Sequence, residues 1–117
     1  MKKEILMVGV LLLISIMIAG CSNELNGNEV SQYDEFANCL TEKGVKIYGT
    51  EWCPHCKNQK EMFGNSFQYV DYIDCDKNKD ECNEAGIEGY PTWIINGEKY
   101  PGERSLNSLS SLTDCPL

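Results

Sequence analysis

The chain has 117 residues, room for one small domain and no more. Its 18 acidic and 10 basic residues leave a formal charge of −8 at pH 7. That balance argues against nucleic acid as a partner and against broad docking onto anionic lipid.

In chain order, residues 1–20 read as an export signal rather than part of a fold. Lys2 and Lys3 form a basic start, and the apolar run Ile5 to Ala19 is broken only by Gly9 and Ser15. The run falls short of the roughly 20 residues a membrane-spanning helix needs, although an uncleaved anchor is the alternative reading. Ile18-Ala19-Gly20-Cys21 resembles the lipobox of bacterial and some archaeal lipoproteins, in which the cysteine is lipidated and becomes the mature N-terminus. Both readings place the domain outside the cytoplasm, attached to the cell membrane through an N-terminal lipid or anchor. Loss of Lys2, Lys3 and Glu4 with the signal would take the charge from −8 to −9. Residues 21–31, polar and rich in Asn, Glu and Ser, read as a flexible linker, and residues 32–117 as the domain.

Ser31 to Lys43 carries Tyr33, Phe36, Ala37 and Leu40 at helical spacing, with Ser31 and Asp34 as a capped start and Gly44 as a stop. Val45 to Tyr48 predicts a short strand. Pro54 opens a second helix, which runs to Phe63 and stops at Gly64. The aromatic-rich Phe67 to Asp74 predicts a second strand, parallel to the first as in a βαβ unit. A short helix over Lys79 to Ala85 follows. Thr92 to Tyr100 then folds as a hairpin around Asn96-Gly97, and Leu106, Leu109 and Leu112 mark one face of a last helix. The fold class is therefore α/β: a thioredoxin-like layout of βαβ, linking helix, β-hairpin and C-terminal helix, with an added N-terminal helix.

In that layout Trp52-Cys53-Pro54-His55-Cys56 falls at the junction of the first strand and the first helix of the βαβ unit. Cys53 would lie at the helix N-terminus, where unpaired N–H groups and the positive dipole end favour a thiolate. Cys56, one turn further on and more buried, would resolve a mixed disulfide formed at Cys53. Pro54 shapes the turn and removes an N–H that would be unpaired anyway. His55, the chain's single histidine, offers its imidazole or its backbone N–H to the Cys53 sulfur. A more stable thiolate stabilises the reduced form, so the disulfide becomes a better oxidant. The strand ahead of the motif offers no inward carboxylate: Val45 and Ile47 face in, Lys46 and Tyr48 the other way. Glu51 is the nearest acidic residue, in an exposed turn. Tyr90-Pro91 occupies the place of a cis-proline loop facing the cysteine pair, where backbone would bind an extended substrate segment. Trp52 belongs to the same substrate surface.

The runs Phe36 to Gly64 and Gly86 to Leu109 resemble the thioredoxin-like domain fused to vitamin K epoxide reductase homologues in bacteria and plants. The Cys-Pro-His-Cys itself is also that of DsbA-type periplasmic oxidases. The resemblance implies that Cys53 is the nucleophile, Cys56 the resolving thiol and Tyr90-Pro91 the cis-proline loop, with a redox-active disulfide and no other cofactor or metal. It implies exported cysteine-containing proteins as substrates. It also implies reoxidation by a quinone-linked membrane oxidase of the vitamin K epoxide reductase or DsbB type, here a separate protein. A monomer is expected.

The composition leaves the pairing of Cys39, Cys75, Cys82 and Cys115 open. The resemblance implies a disulfide between Cys75 and Cys82, at places where relatives carry one, and Cys39 with Cys115 would join the added helix to the C-terminus. Those closures would contribute roughly 2.5 and about 4 kcal/mol in a chain-entropy treatment. The rival is a second redox pair at Cys75 and Cys82. Trp93, Met62, Phe63, Phe67 and Tyr69 are read as core or near-core, Lys57 as a solvated helix position. Three readings compete with an oxidase. A reductase or isomerase would run the same chemistry backwards. A metal-binding lipoprotein would use Cys-x-x-Cys as ligands. A chaperone or adhesin-like module would use all six cysteines of residues 32–117 as staples.

Overall fold

A computed structural model describes residues 31–117. The expected signal segment, Cys21 and the linker up to residue 30 lie outside the described residues. The first helix, α1 (Asp34–Glu42), begins where the Asp34 carboxylate accepts the backbone N–H of Ser31 at 2.8 Å. Its other oxygen accepts the hydroxyl of Ser66 at 2.8 Å, tying the helix start to a later segment. At the far end Gly44 takes φ +75°, and the N–H groups of Gly44 and Val45 turn back to the carbonyls of Thr41 and Leu40. That double bond is the Schellman stop, which needs a residue at ease in the left-handed region.

Strand β1 (Lys46–Gly49) leads into α2 (Pro54–Phe63), which has Cys53 as its N-cap, Pro54 in its first turn and Gly64 as its C-cap. The next strand is shorter than its aromatic sequence predicts. Gly64–Tyr69 forms a 3₁₀ helix, and β2 covers only Asp71–Asp74. Tertiary contacts override β propensity here. Ser66 is buried on Asp34, and the Phe67 ring wedges between Phe63 at 5.8 Å and Tyr72 at 5.6 Å. Helix α3 (Lys79–Glu84) follows, then β3 (Thr92–Ile95), β4 (Glu98–Pro101) and α4 (Leu106–Thr113). Asn96 and Gly97 both have positive φ, 51° and 79°, as a two-residue hairpin turn requires. Helix α4 is capped by Ser105, whose hydroxyl accepts the N–H of Ser108.

The strands lie in the order β2-β1-β3-β4, with β1 and β2 parallel and the other neighbours antiparallel. Alternation along the strands sends Val45, Ile47, Trp93 and Ile95 to one face. There Phe36, Ala37 and Leu40 of α1, Phe63 of α2 and Leu109 of α4 complete the main core. Tyr48, Ile73 and Ile94 point to the opposite face, against Cys75 and Cys82. Tyr48 thus turns away from the main core as expected, yet it is buried, because α3 and its approach cover that face. Met62 and Tyr69, expected near the core, are exposed. Met62 sits on the outer side of α2, and Tyr69 ends the 3₁₀ turn that replaced the strand.

Two disulfides tie the ends of these layers. Cys39 of α1 joins Cys115 just beyond α4, and Cys75 after β2 joins Cys82 in α3. Cys53 and Cys56 are free.

Candidate functional site

The end of β1 and the start of α2 place the two free cysteines, both buried. Cys53 has extended backbone (φ −73°, ψ 122°) at the N-cap and makes no side-chain cap bond, and its sulfur stands beside the first N–H groups of the helix, those of His55 and Cys56. Burial works against ionisation of this thiol. The N–H and thiol of Cys56 and the N–H of His55 outweigh it, and the Cys53 pKa lies below the ordinary thiol value despite opposition from Glu103. Cys56 behaves in the opposite way. Burial pushes its thiol up to about 11, against help from the Thr50 N–H, while the neighbouring Cys53 adds to the rise. One thiol is disposed to be the anion and the other to hold the proton.

Cys56 fits only because β1 ends in glycine. A Cβ at Gly49 would stand 2.8 Å from the Cys56 sulfur and 3.1 Å from the Tyr72 ring. Tyr72 thus walls the Cys56 thiol, its buried hydroxyl has no hydrogen-bond partner, and burial raises its pKa. Over its ring, 4.1 Å from the centroid, lies the Lys60 ammonium, which also pairs with Glu51 at 3.1 Å. Glu51, the acidic residue nearest the motif in sequence, is therefore held by a lysine of α2.

The opposite wall is the Tyr90-Pro91 loop. Its peptide bond is cis, and the Tyr90 carbonyl accepts from the Cys53 thiol at 3.6 Å. The Pro91 carbonyl is taken by the Gly102 N–H, which anchors the loop to the end of β4. Trp52 stands 63% exposed at the rim, edge-on to Tyr90 at 6.1 Å, with its indole N–H on Asp76 at 2.9 Å. Trp52, Cys53, Cys56, Tyr90 and Pro91 are thus brought together. Pro54 is the exposed first residue of α2, and Lys57 faces solvent.

The imidazole of His55 goes elsewhere: its Nδ1 lies 3.0 Å from Glu103 Oε2, in the loop between β4 and α4. A second contact between the same helix and loop is made by the fully buried Gln59. Gln59 Oε1 accepts from the Arg104 N–H at 2.7 Å and from the Trp93 indole at 3.1 Å, and its amide donates to the Arg104 carbonyl at 2.9 Å. Trp93 is core, with its one polar atom satisfied. Gly49, Gln59, Tyr72 and Glu103 are absent from the sequence-based site. Each acts through a fold contact that its neighbours along the chain do not reveal.

A four-stranded sheet with a cysteine pair at the strand–helix junction, facing a cis-proline loop, is the arrangement of the thioredoxin-like thiol–disulfide oxidoreductases. The chain belongs to the thioredoxin family, whose profile matches residues 28–114. It is similar to thiol-disulfide oxidoreductase LTO1 of Arabidopsis thaliana, at 41% identity over 69% of this chain and 24% of that protein. It is also similar to protein disulfide-isomerase of Aspergillus niger, at 28% identity over 83% of this chain and 21% of that protein. The chain spans about a quarter of the length of these relatives. Among solved structures, mitochondrial thioredoxin 3 of Saccharomyces cerevisiae matches at 20% identity and a TM-score of 0.48, over 68% of this chain and 87% of that one. Among the described residues no helix is long and apolar enough to cross a membrane.

Proposed function

We propose that this domain is an extracytoplasmic thiol–disulfide oxidase that passes a Cys53–Cys56 disulfide to exported proteins. A substrate thiolate attacks Cys53, and a mixed disulfide forms as the Cys56 thiolate leaves and takes a proton. A second substrate thiolate then attacks the substrate sulfur of that mixed disulfide, and Cys53 departs as a stabilised anion. The net change moves two electrons onto the enzyme pair and one proton onto Cys56, while the second substrate proton goes to solvent and Cys53 is left as the thiolate. A quinone-linked membrane oxidase of the vitamin K epoxide reductase or DsbB type would remove the electrons. The lipobox-like segment ending at Cys21 would hold the domain beside that partner.

The observation that carries this reading is the opposed disposition of the two thiols. Cys53 is favoured as an anion by N–H groups at a helix start, and Cys56 is held protonated by burial. A leaving group of lowered pKa makes the disulfide readily transferable and stabilises the reduced pair, which raises the reduction potential. The exposed Trp52 and the Tyr90-Pro91 backbone would take an extended substrate segment beside the Cys53 sulfur.

The test is a Cys56→Ala variant in cells, with mass spectrometry of whatever stays bonded to Cys53. Exported proteins together with a quinone-linked membrane oxidase are expected. Capture of a reducing donor alone, or a midpoint potential as low as thioredoxin's (about −270 mV), would reverse the direction to a reductase.

A further inference from the structure

His55 was expected to steady the Cys53 thiolate, but its imidazole is engaged by a carboxylate from another part of the chain. What His55 gives the Cys53 sulfur is its backbone N–H. An ionised carboxylate only accepts hydrogen bonds, so Nδ1 of His55 must carry the hydrogen directed at Glu103. In the neutral ring that leaves Nε2 as a bare acceptor, which has nothing to offer an anion. In the charged ring the positive charge is matched by the Glu103 carboxylate 3.0 Å away. In either form the histidine is damped.

The placement of Glu103 is built into the fold. His55 and Gln59 stand one turn apart on α2, and Glu103 and Arg104 are consecutive in the facing loop. The buried Gln59 amide clasps both backbone polar groups of Arg104, which fixes the loop against the helix. The Arg104 guanidinium turns the other way, to the Pro101 carbonyl at 3.2 Å and over the Tyr100 ring. Among the described residues His55 is the one basic side chain within ion-pair distance of Glu103.

We propose that Glu103 is a positioning residue that limits the oxidising power of the Cys53–Cys56 pair by holding the His55 imidazole to itself. This rests on the reading of Cys53 and Cys56 as the exchange pair. The equilibrium concerned is enzyme disulfide plus two glutathione thiols, going to enzyme dithiol plus oxidised glutathione. Release of His55 stabilises the Cys53 thiolate and moves that equilibrium towards the dithiol.

The experiment measures the glutathione equilibrium constant at pH 7 for wild type, Glu103→Gln, His55→Ala and the double variant, with circular dichroism to verify folding. Glu103→Gln is expected to favour the reduced form about tenfold, about 30 mV for a two-electron couple. His55→Ala alone is expected to change it less than about twofold, and in the Glu103→Gln background to remove most of the gain, which is the coupling a double-mutant cycle isolates. Glu103→Asp should stay near wild type. The proposal is overturned if Glu103→Gln leaves the constant unchanged or lowers it, or if its gain persists in full without His55. Failure of the oxidase reading is separate: it would appear as a low potential in the wild type, with the differences among variants still measurable.

Discussion

The two faces of the sheet solve the same packing problem by different means. On the main face three helices meet around aromatic rings, with Phe63 stacked on Phe36 at 5.9 Å and close to Trp93 at 6.2 Å. On the other face a six-residue helix, α3, covers Tyr48 and Ile73 with little apolar surface of its own. So short a helix does not stand by itself in water. The Cys75–Cys82 bond fastens it across a separation of 7 residues. Burial therefore does not distinguish a reactive cysteine from a structural one in this protein: Cys53, Cys56, Cys75 and Cys82 are all buried. Cys53 differs because helix-start N–H groups favour its anion, and Cys56 because it has room beside a glycine instead of a covalent partner.

The contrast is open to attack on either face. The largest effect is expected from Phe63→Ala, which removes the centre of the aromatic cluster and should cost about 5 kcal/mol in denaturant unfolding. Removing the disulfides separates the faces further. Loss of Cys39–Cys115, which closes a separation of 76 residues, should cost about 4 kcal/mol, and loss of Cys75–Cys82 roughly 2.5 kcal/mol. Proteolysis of the second variant should begin around α3 while the main face keeps its near-ultraviolet dichroism; cleavage spread evenly over the domain would show that the small face has no separate dependence on its staple.

Gly49→Ala probes the seam between the faces. Its Cβ would press on the Cys56 sulfur and the Tyr72 ring, for about 2 kcal/mol of overpacking, and alkylation of Cys56 in the unfolded-to-folded comparison should show the thiol displaced. The smallest effect on stability accompanies pH. In the reduced protein, iodoacetamide should modify Cys53 with a midpoint below that of an ordinary thiol, while Cys56 resists until pH approaches about 11. The linkage has two signs. Stability of the reduced form rises with pH between the lowered folded pKa of Cys53 and the ordinary thiol value, because the unfolded chain then holds the extra proton. Above that value it falls towards pH 11, because folded Cys56 keeps a proton that the unfolded chain releases. A reduced protein whose stability is flat across pH 6 to 10 would remove the asymmetry between the two thiols.

Most of the fold was legible because its signals are local. Gly44 and Gly64 end helices, Pro54 starts one, and Asn96-Gly97 turns a hairpin whatever lies around them. The second strand departs from its prediction where the signal is not local: Phe67 and Tyr69 suit a strand by propensity, yet Asp34, some thirty positions away, holds Ser66 within a 3₁₀ turn. At the site, the cysteine pair and the proline loop are visible as short motifs. Gly49, Gln59, Tyr72 and Glu103 are single residues of ordinary types, and nothing adjacent to them marks a role.

The sequence by itself determined that Cys53 and Cys56 stand at a strand–helix junction, because strand, turn, proline and helix periodicity are properties of contiguous residues. Only the tertiary structure decided what surrounds those sulfurs: the cis loop at Tyr90, the gap above Gly49, and the carboxylate that engages His55. Helix starts are specified over one turn of chain, whereas the charge next to a thiol depends on which distant loop packs against it. Glu103 lies 48 positions from His55 and meets it only because Gln59 brings the two segments together.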